Sequence, residues 1–121
     1  MSVPLIESVR ARLQDFGLDP MGARMVVGVF LEQTPAYLDA LERALADGRV
    51  DELRRWCHTL QGAVANVGLT ASASRCRELQ GAVKASAAPA TDEDVARMTM
   101  TLVEETRAEI DALRRWYAQR G

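Results

Sequence analysis

Glycine and proline cut this chain into helix-length pieces, and that punctuation constrains the fold more than any other feature of the sequence. Breaks fall at Gly17, Pro20, Pro35, Gly48 and Gly68, and in the stretch SAAPAT at 86–91. Between the breaks, apolar residues recur at three- and four-residue steps, the period of a helix with one buried face. Alternating apolar and polar residues, the mark of a half-buried strand, are nearly absent.

Each piece carries its own start and stop signals. Pro4 opens a short amphipathic segment with Leu5, Ile6, Val9 and Leu13, which ends before Gly17. Asp19-Pro20 reads as an N-cap and a first helical residue, and the helix behind it carries Met21, Met25, Val29 and Phe30. Thr34-Pro35 repeats the signal and predicts a new start, for a helix with Leu38, Leu41 and Leu45 that ends at Gly48. A helix from about Val50 to Val67 follows, with Gly68 as its C-terminal cap. Thr70 begins the next, which carries Ala73, Cys76, Leu79 and Val83. Thr91 and Asp94 form a capping-box-like start for a long last helix with Val95, Met98, Leu102, Ile110, Leu113 and Trp116. The expected fold is all-α: an up-down four-helix bundle with a short N-terminal helix, forming a single domain over residues 1–121.

Composition narrows the function classes. With 121 residues, 48% hydrophobic and 26% charged, the chain is long enough for one soluble core. A net charge of -2 gives no ground for nucleic acid or an anionic membrane as partner. The apolar run MVVGVFL at 25–31 is too short to span a bilayer. The opening MSVPLIESVR has an early Glu7 and does not read as a signal peptide. A cytoplasmic, monomeric, stand-alone protein is expected rather than a piece of a hybrid kinase. Cys57 and Cys76 have neither metal-ligand spacing nor a C-x-x-C motif, so core packing is expected of both.

His58 is the only histidine. On a wheel at about 100° per residue, Leu53, Trp56, Cys57, Leu60, Val64 and Val67 fall within roughly 60° of Leu60 and form the stripe to be buried. His58 lies about 160° from Leu60, nearly opposite. Gly62 and Ala65 flank it with almost no side-chain bulk, Arg54 and Arg55 lie one turn before it, and Gln61 sits at its edge. Imidazole is largely neutral near neutral pH and keeps a nitrogen lone pair that can attack an activated phosphoryl group. Arginines and an amide suit the anion so formed. Nothing in the sequence builds an independent enzyme. There is no Gly-rich phosphate loop, and one histidine with scattered carboxylates makes neither a metal site nor an acyl-transfer triad.

At these residues the chain resembles the histidine-containing phosphotransfer (HPt) domains of multistep two-component signalling. The family core H-x-L-K-G stands here as His58-Thr59-Leu60-Gln61-Gly62, followed by Asn66 and Gly68. The likeness extends upstream through Phe30, Leu31, Pro35, Leu38, Leu41, Ala44, Leu45 and Leu53, and downstream to Cys76 and Leu79. The resemblance implies that His58 is the phosphoacceptor, taking a phosphoryl group from a receiver-domain aspartate and passing it to another. It implies receiver domains or a hybrid histidine kinase as partners and no cofactor, since Mg²⁺ in such relays belongs to the receiver. Gln61, Arg54 and Arg55 are then expected to support the phosphoryl group, and Gly62 and Ala65 to permit close approach. Two positions depart from the family. Gln61 stands where lysine is usual, so a charge worth roughly 1 to 4 kcal/mol at 4 Å is missing. Arg49 stands where an aspartate often caps the helix, with Asp51 and Glu52 in the first turn to meet its dipole. The loss of lysine motivates the alternative reading, an adaptor that docks a receiver or kinase without carrying phosphate.

Overall fold

The structure, a computed structural model, describes residues 3–120. Five α-helices follow one another: α1 (Val3–Asp15), α2 (Pro20–Ala46), α3 (Val50–Asn66), α4 (Thr70–Ala85) and α5 (Glu93–Arg120), with a 3₁₀ turn at Pro89–Thr91 before the last. Helix α3 packs between α2 and α4, and α5 closes the ring against the same two. Loops of a few residues make chain neighbours antiparallel, so α2 to α5 form an up-down bundle. The short helix α1 leans on α5 and on the turn between α3 and α4. Among the described residues there is no strand, and no helix is long and apolar enough to cross a membrane.

The glycine stops work as local chemistry dictates. Gly17, Gly48 and Gly68 all have positive φ, at 72°, 67° and 82°, and follow α1, α2 and α3. In each case two crossed backbone bonds seal the helix end. After α3, Leu69 N–H donates to Val64 O at 2.9 Å and Gly68 N–H to Ala65 O at 3.1 Å. These bonds satisfy carbonyls that the last turn leaves without partners. Gly68 is needed a second time, for space. A Cβ there would sit 2.7 Å from Ser8 O and 2.8 Å from Arg12 Cβ. Ser8 Oγ donates to Gly68 O at 2.6 Å, which seats α1 on the turn. Asp19 caps α2 as expected, its carboxylate accepting from Gly22 N–H at 2.7 Å.

Three expectations are corrected. Thr34-Pro35 starts no helix: α2 runs unbroken for 27 residues with Pro35 inside it. Proline removes one ladder bond, the one its N–H would have made to the carbonyl four residues back. That carbonyl belongs to Leu31, and Arg114 of α5 donates to it at 3.3 Å. The core stripe Val27, Phe30, Leu31, Thr34, Leu38, Leu41 and Ala44 is buried on both sides of the proline, so packing carries the helix through. The capping residue of α5 is Asp92, not Thr91. Its carboxylate accepts from Asp94 N–H (2.9 Å), Val95 N–H (3.2 Å) and Ser86 Oγ (2.7 Å). These bonds hold the carboxyl below its usual range. Thr91 is engaged in the 3₁₀ turn through Ala88 O. Last, of Met21, Met25, Val29 and Phe30 only Phe30 joins the core, beside Val27. Met21, Met25 and Val29 are 74%, 66% and 53% exposed. Their four-residue spacing is helical, but it runs down the side that no neighbouring helix covers.

The Pro35 arrangement predicts a coupling. Arg114→Met should lower stability by about 1 kcal/mol. The loss should nearly vanish in a Pro35→Ala background, where residue 35 supplies the N–H that Leu31 O lacks. Urea unfolding of the four proteins measures it, and equal losses in both backgrounds would contradict the assignment.

Candidate functional site

Helix α3 divides cleanly. Leu53, Cys57, Leu60 and Val64 are buried, and Val67 just beyond the helix is buried with them. Trp56 borders this stripe, half-buried. It stacks on Tyr37 of α2 with ring centroids 5.8 Å apart and 27° between planes, and its indole N–H donates to Glu52 at 3.3 Å. His58 is exposed, as are Arg54 and Gly62, while Gln61 and Ala65 are half-buried at the margins. The helix starts at Arg49 without a side-chain cap, and Asp51 and Glu52 occupy the first turn.

The two arginines are not equivalent. Arg55 lies 3.7 Å from Glu52 and 5.2 Å from the Trp56 ring centre, which draws it towards the α2 side. That exposed ion pair is weak, so Arg55 is tethered loosely. Arg54 makes no ion pair among the described residues and lies one helical turn before His58. It is the less committed cation.

Gly62 sits on open surface. A Cβ built there meets nothing within 4 Å. The packing of this chain therefore gives no reason for a residue that weakens a helix by up to about 1 kcal/mol relative to alanine. On the α2 side, Gly62 lines a trough with Val29, Tyr37, Thr59, Ala63 and Asn66. Ala65 faces the other way, into a cleft shared with Ser8, Arg12 and Arg77.

Gln61 reaches across to α4, where its Oε1 accepts from Gln80 Nε2 at 2.8 Å. Gln80 also donates to Cys57 Sγ at 3.9 Å, and Cys57 Sγ donates to the Cys76 carbonyl at 3.4 Å. Both cysteines are free and buried, in keeping with a packing role. The Cys57 sulfur beside it, together with burial, pushes the Cys76 thiol up. Gln80 is the neighbour that sequence reasoning missed. It follows core residue Leu79 and lies one turn past Cys76, but only the register of α4 on α3 brings it to Gln61.

Comparison with known families decides what this surface belongs to. The Hpt domain family model matches residues 25–116, more than half of the chain. The chain belongs to the Hpt domain family. Searches among curated proteins and among solved structures return no match. Hpt domains act in histidine phosphotransfer within two-component signalling, where they meet receiver domains and kinases. They are phosphocarrier modules rather than catalysts. The matched span contains α3, α4 and most of α2 and α5, and leaves α1 outside.

The open space at Gly62 yields a stability prediction. Gly62→Ala should stabilise this Hpt domain by about 0.5–1 kcal/mol, because only helix propensity changes. Denaturant midpoints test this, and a loss of stability would show that the position is packed after all.

Proposed function

We propose that this Hpt domain relays phosphoryl groups between receiver-domain aspartates, with His58 as the carrier. One observation supports this above the others: the sole imidazole stands exposed on the face opposite the buried stripe, one turn from a glycine that the fold itself does not require.

The chemistry needs little from this chain. The imidazole nitrogen bearing the lone pair attacks the phosphorus of an aspartyl phosphate. The N–P bond forms as the acyl P–O bond breaks, and the electron pair leaves with the aspartate carboxylate. The other ring nitrogen keeps its proton, so the ring carries a positive charge that helps it leave in the reverse step. The phosphoryl oxygens stay negative and are met by Arg54, by Arg55 once it leaves Glu52, and by the amide of Gln61. The partner has to close over His58, and Gly62 with the trough beside it leaves room. Ala65, turned towards α1, contributes less to that opening than its place on the wheel implies.

Incubation with a labelled, phosphorylated receiver tests the reading. The parent should take label that survives alkali and is lost in acid, as a phosphoramidate is, and His58→Gln should take none. Gly62→Leu should fold normally and accept label at least about tenfold more slowly, equivalent to roughly 1.4 kcal/mol of docking lost. Label on His58→Gln would exclude His58 as the carrier. A receiver that binds the parent without labelling it would favour the docking adaptor.

A further inference from the structure

The hydrogen bonds behind Gln61 have a direction, and the chain they form ends on its oxygen side. Cys57 has one S–H proton, and it points to the Cys76 carbonyl at 3.4 Å. Its sulfur can therefore only accept from Gln80, 3.9 Å away. That contact turns the NH₂ group of Gln80, rather than its carbonyl, towards α3. With its donor edge so placed, Gln80 can pair with Gln61 only through the oxygen of Gln61, and the two side chains meet in that way at 2.8 Å. An amide whose oxygen is held has its NH₂ on the other side. Among the described residues no protein acceptor meets that NH₂ group. His58 lies three residues before Gln61 on the same helix, a spacing at which side chains are neighbours.

We propose that Gln80 is a positioning residue, which with Cys57 locks Gln61 so that its amide presents two N–H donors, and not its oxygen, to the phosphoryl group on His58. The proposal rests on the carrier reading of His58. It explains how a neutral side chain stands where a cation is usual. A lysine donates in every orientation, whereas an amide repels the phosphoryl oxygens in one of its two. A free Gln61 would divide its time between attraction and repulsion; a locked one only attracts. The anchor lies in the core, since Cys57 and Cys76 are both buried, so the lock does not depend on exposed side chains alone.

Two substitutions at position 80 separate this from a structural role. Gln80→Met keeps the bulk and removes the donor. Gln80→Glu offers only an acceptor, so Gln61 should turn its NH₂ inward and its oxygen outward. Each is made in the parent and in Gln61→Met, and the phosphorylated fraction is read at equilibrium against a fixed receiver. In the parent, Gln80→Met should lower that fraction about fivefold, the scale of one hydrogen bond, and Gln80→Glu should lower it more. In Gln61→Met, Gln80→Met should change nothing. Gln80→Glu should there retain only the part owed to its charge. Equal effects in both backgrounds would overturn the proposal.

A second readout needs no phosphate. The side-chain NH₂ signals of Gln61, assigned by their absence in Gln61→Met, should shift in Gln80→Glu as one proton bonds the new carboxylate. Unmoved signals would overturn the lock whatever the labelling shows. If the signals move but the parent takes no phosphate, the orientation of Gln61 stands and the carrier reading fails with the role drawn from it.

Discussion

Burial of Leu60 is the constraint on which the rest depends. Leu60 is completely enclosed, in line with Leu53, Cys57 and Val64, and a helix turns about 100° per residue. Once that stripe faces α2 and α4, position 58 must face water and position 61 must lie at an edge. No separate device aims His58; the same packing that stabilises the bundle does so. Removing a buried leucine typically costs 2–5 kcal/mol, so the histidine cannot turn inward without unfolding the helix that carries it. Rigidity therefore comes from the core, while His58 stays on the surface where a large partner can reach it.

Replacing lysine by Gln61 shifts the electrostatics from charge to direction. A lysine ammonium acts at a distance and tolerates misplacement, but water screens it at an exposed site. An amide acts only at contact and only when oriented. The neighbouring cations divide in a similar way, with Arg55 held by Glu52 and Trp56 and Arg54 left without an ion pair among the described residues. In the proposed carrier, phosphorylated His58 thus relies on the amide of Gln61 and the guanidinium of Arg54. Arg54 is exposed and can move when a partner closes over it, whereas Gln61 is half-buried and held through its oxygen by Gln80.

Most of the scaffold was legible in the sequence because its determinants are local. Gly17, Gly48 and Gly68 end helices through positive φ, and Asp19 caps α2 through a residue three positions away. The buried stripe of α3, and with it the exposure of His58, follows from spacing alone. What escaped the sequence depends on distant partners. Pro35 reads as a helix start unless it is known that Arg114, 83 residues beyond Leu31, supplies the missing donor. Met21 and Met25 share the helical period of the core, and only the placement of the other helices leaves them uncovered. Gln80 gained meaning only from the register of α4 on α3, which no local signal encodes.

As the proposed carrier, His58 is a way-station and not an end point, which a chase experiment can check. The protein is loaded with labelled phosphoryl from one receiver, separated from it, and mixed with a second, unphosphorylated receiver. The label should leave His58 and appear on the aspartate of the second receiver, with the chain recovered at its starting mass. Label that stays on the chain, or leaves it only as inorganic phosphate, would contradict the account.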